Sequence, residues 1–292
     1  MKRKVMMMDQ LGIEQLSVLG LDPVSCIELA DKLDCRNISI FLSAPPFRPQ
    51  FYPPFSLVDD PALRRATMAA LRDHNVSISL GEGFSVRPGS DLCESKARDL
   101  EIMAELGVNR INMVSFDPDL RRTFDQFAAL VECAANLGME STVEFSKSDN
   151  KSICDLATAL AAIDHVGRSD FRLLIDCMHF FRSGGRVEDI RAISAEQIGY
   201  IQLCDAPLVS TFGSYMEEAM NERMVPGTGE LPLLELLNAL PHDRIVSLEV
   251  PQRSLALAGM EPIERLRTCV IAARQLLLQR NTARTDIGRD TK

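Results

Sequence analysis

The chain has 292 residues, and 32 Lys and Arg against 41 Asp and Glu leave it a formal charge of −9. With 46% hydrophobic and 25% charged residues it has the balance of a folded globular protein, not of a disordered or fibrous one. The acidic surplus argues against a nucleic-acid surface, which needs Lys and Arg to displace phosphate counterions, and against a polybasic membrane contact.

Short β-rich runs alternate with longer amphipathic ones along the chain. EQLSVLGL (14–21) reads as a strand, and PVSCIELADKLDC after it has apolar residues at helical spacing. RNISIFL (36–42) is a second strand, followed by a proline-rich loop and a helix that opens at Pro61, a residue suited to a first turn. SISLGEGF (77–84) leads into a helix closed by Gly107, and NRINMVSF (109–116) into one closed by Gly138. STVEFS (141–146) precedes SICDLATALAAIDHVG, and FRLLIDCMHF (171–180) precedes VEDIRAISAEQ. GYIQLCD (199–205) precedes a long loop and LPLLELLNAL, and RIVSLEV (244–250) precedes PIERLRTCVIAARQLLL. Eight strand–helix pairs, repeating about every 33 residues, predict an α/β fold consisting of a single (β/α)8 TIM barrel. The barrel is expected over residues 1–278, with a polar tail at 279–292. No G-x-G-x-x-G follows the first strand, which weakens a dinucleotide-binding reading.

The eight cysteines are scattered, with no C-x-x-C pair. Most fall in apolar periodic segments, where a free thiol serves as a small hydrophobe, so they read as reduced in a reducing compartment. The basic start MKRKVMMMDQLG has too short an apolar run for a signal core, and no stretch approaches the ~20 apolar residues of a membrane span. The expectation is a cytoplasmic enzyme-sized domain.

In such a barrel the chemistry sits at the C-terminal ends of the strands and in the loops that follow. Four successive predicted strands place a polar group in an apolar run there: Glu144 in TVEFS, Asp176 in LLIDCMHFF, Gln202 in YIQLCD and Glu249 in VSLEVP. A charged group in that position is costly unless it is paired or bound to a cation. Any one of them reads more simply as an ion-pair partner; all four together read as a metal site. Three carboxylates and an amide oxygen suit a hard octahedral cation, Mn2+ or Mg2+. His74 and His165 fall late in helices and His242 in a loop, whereas His179 stands at a strand end three residues after Asp176. His179 is therefore the candidate for substrate contact or proton transfer. Asp205, also on the seventh strand, and Glu82, at the end of the third, are candidates to contact substrate.

Two loops have the length or composition of site covers. Residues 206–230 exceed the usual 2–6 residues of a βα connection and carry Arg223 before the turn Pro226–Gly229. An arginine there suits a carboxylate, phosphate or hydroxyl group of a substrate, or stays solvated. Residues 43–61 hold six prolines with Phe47, Phe51, Tyr52 and Phe55, fitting an apolar lid or a contact between copies in a homo-oligomer.

Taken in order, the strand-5 Glu, the strand-6 D-x-x-H, the strand-7 Q-x-x-D, the R-x-x-P-G-x-G loop and the strand-8 L-E resemble the xylose-isomerase-like TIM-barrel superfamily. That group includes sugar isomerases, ketose 3-epimerases, inosose dehydratases and 3-dehydroshikimate dehydratases. The resemblance implies metal ligation by Glu144, Asp176, Gln202 and Glu249, substrate contact by His179 and an anchoring Arg223. Many sugar epimerases of this type have His on strand 7; Gln202 there is similar to the 3-dehydroshikimate dehydratase branch. The endonuclease branch looks for additional metal-binding histidines, which are missing here. The expected activity is metal-dependent isomerisation or epimerisation of a small polyhydroxylated keto compound. It would proceed by proton abstraction α to a carbonyl, through an enediolate, with Glu144, Glu249 and His179 as candidate catalytic groups. The alternatives are a dehydratase of the 3-dehydroshikimate or inosose type and a non-catalytic binding barrel or accessory subunit.

Overall fold

The computed structural model describes residues 10–46, 48–89, 91–147 and 152–287. Eight parallel strands close into a barrel in chain order. They are β1 (Leu11–Ile13), β2 (Asn37–Ile40), β3 (Ser77–Val86), β4 (Arg110–Ser115), β5 (Glu140–Glu144), β6 (Phe171–Asp176), β7 (Ile198–Leu203) and β8 (Val246–Leu248). Closure is made by β1, which pairs with both β2 and β8. The outer helices are α1 (Pro23–Lys32), α2 (Pro61–His74), α3 (Leu92–Glu105), α4 (Leu120–Asn136) and α5 (Leu156–Val166). Then come α6 (Cys177–Arg182), α7 (Val187–Arg191), α8 (Tyr215–Asn221), α9 (Leu233–Ala239), α10 (Arg253–Leu257) and α11 (Pro262–Ile287).

The first five helices share one starting device. Asp22, Asp60, Asp91, Asp119 and Asp155 each accept backbone N–H groups of the first turn, which stabilises a helix start by about 1 kcal/mol. Just past α3 and α4, Gly107 and Gly138 take φ of +80° and +77°, as the helix-closing role required. The apolar faces of these helices and the strand side chains make one continuous core. The barrel axis holds Leu80, Leu174 and Tyr200.

Four expectations are corrected. The segment 14–21 is not the first strand: β1 ends at Ile13, and Gln15–Val18 form a 3-10 turn that closes on Leu19 at φ +56°. The apolar spacing of that segment serves a tight turn packed against the rim. The sixth strand stops at Asp176, whose side chain accepts from the His179 N–H and starts α6, so His179 lies on a helix and not at a strand end. Helix α11 runs past residue 278 to Ile287, into the segment read as a polar tail. Lastly, Cys93 and Cys133 form a disulfide across the packed faces of α3 and α4, with their Cα atoms 6.6 Å apart. The other six cysteines are free, and five of them are buried as expected of small hydrophobes.

Candidate active site

Strand register brings the polar residues to one height. Asp176 on β6 is the direct neighbour of Gln202 on β7, and Glu249 follows the end of β8 with its N–H on Leu203 O of β7. Glu144 ends β5. Glu144 and Glu249 line a cavity of about 550 Å³ at the C-terminal end of the barrel, and Asp176 and Gln202 are buried outside its lining, touching it through Arg223 and Glu249. Glu82, Glu144, His179, Arg223 and Glu249 line its polar side. Phe41, Pro45, Pro46, Phe116, Met216 and Met220 are among the residues that line its apolar side.

Two linked sets of contacts organise the polar side. In one, His179 Nε2 lies 3.2 Å from Glu144 Oε1, and Asn112 Nδ2 donates to Glu144 Oε2 at 2.7 Å. The other ring nitrogen of His179, Nδ1, is hydrogen-bonded to the Tyr215 hydroxyl. In the other, the guanidinium of Arg223 pairs with Asp176 through Nη1, and the same nitrogen is 2.9 Å from Glu249 Oε2. That second contact is an ion pair without the alignment of a hydrogen bond. Gln202 Nε2 donates to Glu249 Oε1 at 3.3 Å. Burial works against the charge on Arg223, but the Asp176 and Glu249 carboxylates outweigh it and hold the guanidinium firmly protonated. Burial likewise pushes the Asp176 carboxyl up, yet the Arg223 guanidinium and the His179 backbone N–H hold it below the usual carboxylate range.

Sequence reasoning missed Glu14, which follows β1 directly and is fully buried. It accepts from the Tyr200 hydroxyl at 2.9 Å, and Tyr200 in turn bonds Ser79 Oγ at 2.9 Å. Glu14, Glu82 and Glu249 bring carboxylate oxygens within 4.8 Å of one another. Burial pushes all three carboxyls up, and the repulsion of Glu14 and Glu144 adds to the effect on Glu82. Placing β1 at 14–21 sets Glu14 at the strand's start; the correct boundary sets it at the C-terminal end, where rim chemistry is found. Asn112 and Tyr215 were missed as well. Neither carries charge, and nothing in their local pattern distinguishes them.

The remaining candidates separate. Glu82 lines the cavity. Asp205 points elsewhere: its carboxylate accepts from the backbone N–H groups of Ala206, Gly227, Gly229 and Leu231 at 2.8–3.2 Å. It thereby shapes the PGTG turn, and a Cβ on Gly229 would collide with it. His74 pairs with Asp31 and His165 with Asp125, in keeping with helix-surface roles. Both long loops reach the cavity. Pro45 and Pro46 come from the first; the second folds into α8, which supplies Met216 and Met220. Phe47 lies outside the described residues.

The residues present suit a divalent cation. Gln202 Oε1 is fully buried and has no hydrogen-bond partner among the described residues, and its amide nitrogen bonds Glu249. Glu144, Asp176 and His179 each offer one atom within 4.8 Å of the others. Five carboxylates, Glu14, Glu82, Glu144, Asp176 and Glu249, gather at the cavity against the two arginines that line it, Arg87 and Arg223, an excess of negative charge that a cation offsets. The donors are mostly oxygen, as hard cations prefer.

A family model described as a xylose isomerase-like TIM barrel matches residues 27–269. Among solved structures, the chain resembles an IolI protein with a bound zinc atom, at 17% identity and a TM-score of 0.77 over 92% of this chain and 98% of that one. A xylose isomerase domain-containing protein from Salmonella typhimurium is 16% identical with a TM-score of 0.75, covering 93% and 98%. An L-ribulose 3-epimerase is 14% identical with a TM-score of 0.72, covering 97% and 99%. No curated protein matches the chain. At these identities the structural likeness speaks for the fold.

Proposed function

The chain belongs to the xylose isomerase-like TIM-barrel family, and from its site we propose that it is a divalent-metal-dependent isomerase or epimerase of a small polyhydroxylated keto compound. The observation that carries this reading is the meeting of Glu82, Glu144 and Glu249 from separate strands at one half-apolar cavity, with Gln202 buried against Glu249 and its Oε1 unpartnered among the described residues. Glu144, Asp176, Gln202 and Glu249 would hold Mn2+ or Mg2+. When bound, the cation supplies Lewis-acid polarisation of a substrate carbonyl and its neighbouring hydroxyl.

The chain's own groups do the rest. Glu144 and Glu249, two of the three carboxylates that line the cavity, are the groups placed to take the proton α to the carbonyl, leaving an enediolate, and to return it. Such positioned proton transfer contributes about 10²–10⁴ in rate. His179 Nε2, 3.2 Å from Glu144 Oε1, holds that oxygen in place and reaches the substrate space. Arg223 fixes the Asp176 and Glu249 carboxylates and keeps an edge on the cavity for a substrate oxygen. Phe41, Phe116, Met216 and Met220 receive the carbon skeleton and exclude water, which strengthens every charge interaction on the floor.

Deuterium wash-in from D2O, run with Mn2+ on a panel of ketoses and 3-dehydroshikimate, tests the proposal. Incorporation without loss of water is the expected result. A new aromatic absorbance with loss of water replaces the isomerase by the dehydratase reading. No exchange on any member overturns both.

A further inference from the structure

We infer that Tyr215, carried on the loop helix α8, is a positioning residue that fixes His179 in the tautomer with its proton on Nε2 and so aims that N–H at Glu144. The reading starts from the two ring nitrogens. His179 Nδ1 has the Tyr215 hydroxyl as its hydrogen-bond partner, and the rings pack with centroids 5.5 Å apart. The competing acceptor for an Nδ1 proton, Asp176 Oδ1, is 3.7 Å away, beyond hydrogen-bond reach. Asp176 spends that oxygen on the His179 backbone N–H and the other on Arg223. A buried phenol keeps its proton and can donate it, and Nε2 faces a carboxylate oxygen that accepts, so on a neutral ring the hydroxyl donates and Nδ1 accepts. A neutral imidazole that accepts at one nitrogen carries its proton on the other, and Nε2 faces Glu144 Oε1.

Helix α8 is held where this geometry needs it. At its inner face, Glu218 is buried against Arg182 at 2.9 Å, and Arg182 also donates to Pro207 O. Beyond its C-terminus, the Arg223 N–H bonds Pro251 O and its Nε bonds Ala219 O. The same short helix sends Met216 and Met220 to the cavity wall. The element that covers the cavity therefore also orders the His179–Glu144 pair beneath it. A chain with this segment displaced keeps both groups and loses their alignment.

The role of Tyr215 is separable from the proposed activity, on which only the second measurement below depends. In the ¹⁵N-histidine-labelled, Mg2+-supplemented full-length chain, with His179 assigned through His179→Gln, we expect Nδ1 to resonate as the unprotonated and Nε2 as the protonated nitrogen. In Tyr215→Phe, which keeps the ring and removes the hydroxyl, the two shifts should move toward each other as tautomers mix. A protonated Nδ1 or mixed tautomers in the parent chain, or an unchanged pattern in Tyr215→Phe, would overturn the inference. The parent spectrum decides even if the variant folds poorly. Where wash-in activity is found, Tyr215→Phe should lower its turnover roughly 10–100-fold, the usual loss for an orienting hydrogen bond, with KM within about twofold. A raised KM with turnover intact would make Tyr215 a substrate contact instead and overturn the positioning role.

Discussion

The barrel rim has two arcs that handle buried charge in opposite ways. On the arc from β5 to β8, every carboxylate has a designated partner: Glu144 has His179 and Asn112, Asp176 and Glu249 share Arg223, and Asp205 takes four backbone N–H groups. On the arc from β1 to β3, Glu14 and Glu82 meet only neutral donors among the described residues, Ser39, Ser247, Tyr200 and Gln202 for the first and Asn112 at 3.5 Å for the second. The first arc is ordered by its own charges before any ligand arrives. The second has no counter-charge of its own: burial pushes the Glu14 and Glu82 carboxyls up, and the nearby Glu14 and Glu144 add to the effect on Glu82, while on the first arc burial raises Glu249 against the pull of Arg223. Preorganisation and tension thus lie side by side on one floor.

The largest break in that contrast should come from Arg223→Met. Removing the cation between Asp176 and Glu249 leaves two buried carboxylates without their counter-charge, a loss of about 3–5 kcal/mol in urea unfolding of the EDTA-treated chain. Excess Mn2+ should recover part of it. Asp205→Ala comes next. It deprives four backbone donors of a charged acceptor and should cost roughly 2–3 kcal/mol. Faster amide exchange should be confined to Ala206, Gly227, Gly229 and Leu231, with metal affinity unchanged, because Asp205 belongs to the ordered arc without facing the cavity.

Glu82→Gln should act in the other direction. Burial and the nearby Glu14 and Glu144 hold the Glu82 carboxyl well above its usual range. A carboxyl raised on folding binds its proton more tightly in the folded chain. Stability therefore falls as pH climbs from the ordinary carboxylate range through the raised value, and is level beyond it. The metal-free variant should lose that slope and gain about 2–3 °C in Tm at pH 7.5, the size expected of roughly 1 kcal/mol in a chain of this length. An equal or lower Tm would mean that Glu82 is not under repulsion.

The same two arcs differ in how far the sequence reveals them. The closed barrel follows from eight alternations of period, and those survive errors of several residues at each boundary. Glu144, Asp176, Gln202 and Glu249 were legible because each interrupts an apolar run near a strand's end. Glu14 was hidden by its boundary: the apolar residues of 16–21 imitate a strand although they form a 3-10 turn. His179 was found for a reason that needed correcting, since an N-capping Asp176 starts a helix within the run FRLLIDCMHF. Asp205 follows β7 much as Asp176 ends β6, and only the path of the following loop decides that one faces the cavity and the other the backbone. Tyr215 and Asn112 act through contacts made across the fold, which no local pattern encodes. The Cys93–Cys133 pairing likewise depends on how α3 packs against α4, not on spacing.

The central claim is that the ordered arc holds a divalent cation. Calorimetric titration of Mn2+ into the EDTA-stripped chain tests it most directly. One ion per chain should bind, with affinity at least tenfold weaker in Asp176→Asn and Glu249→Gln and unaltered in Asp205→Asn. Absence of binding to the parent chain, or full affinity in Glu249→Gln, would contradict the account.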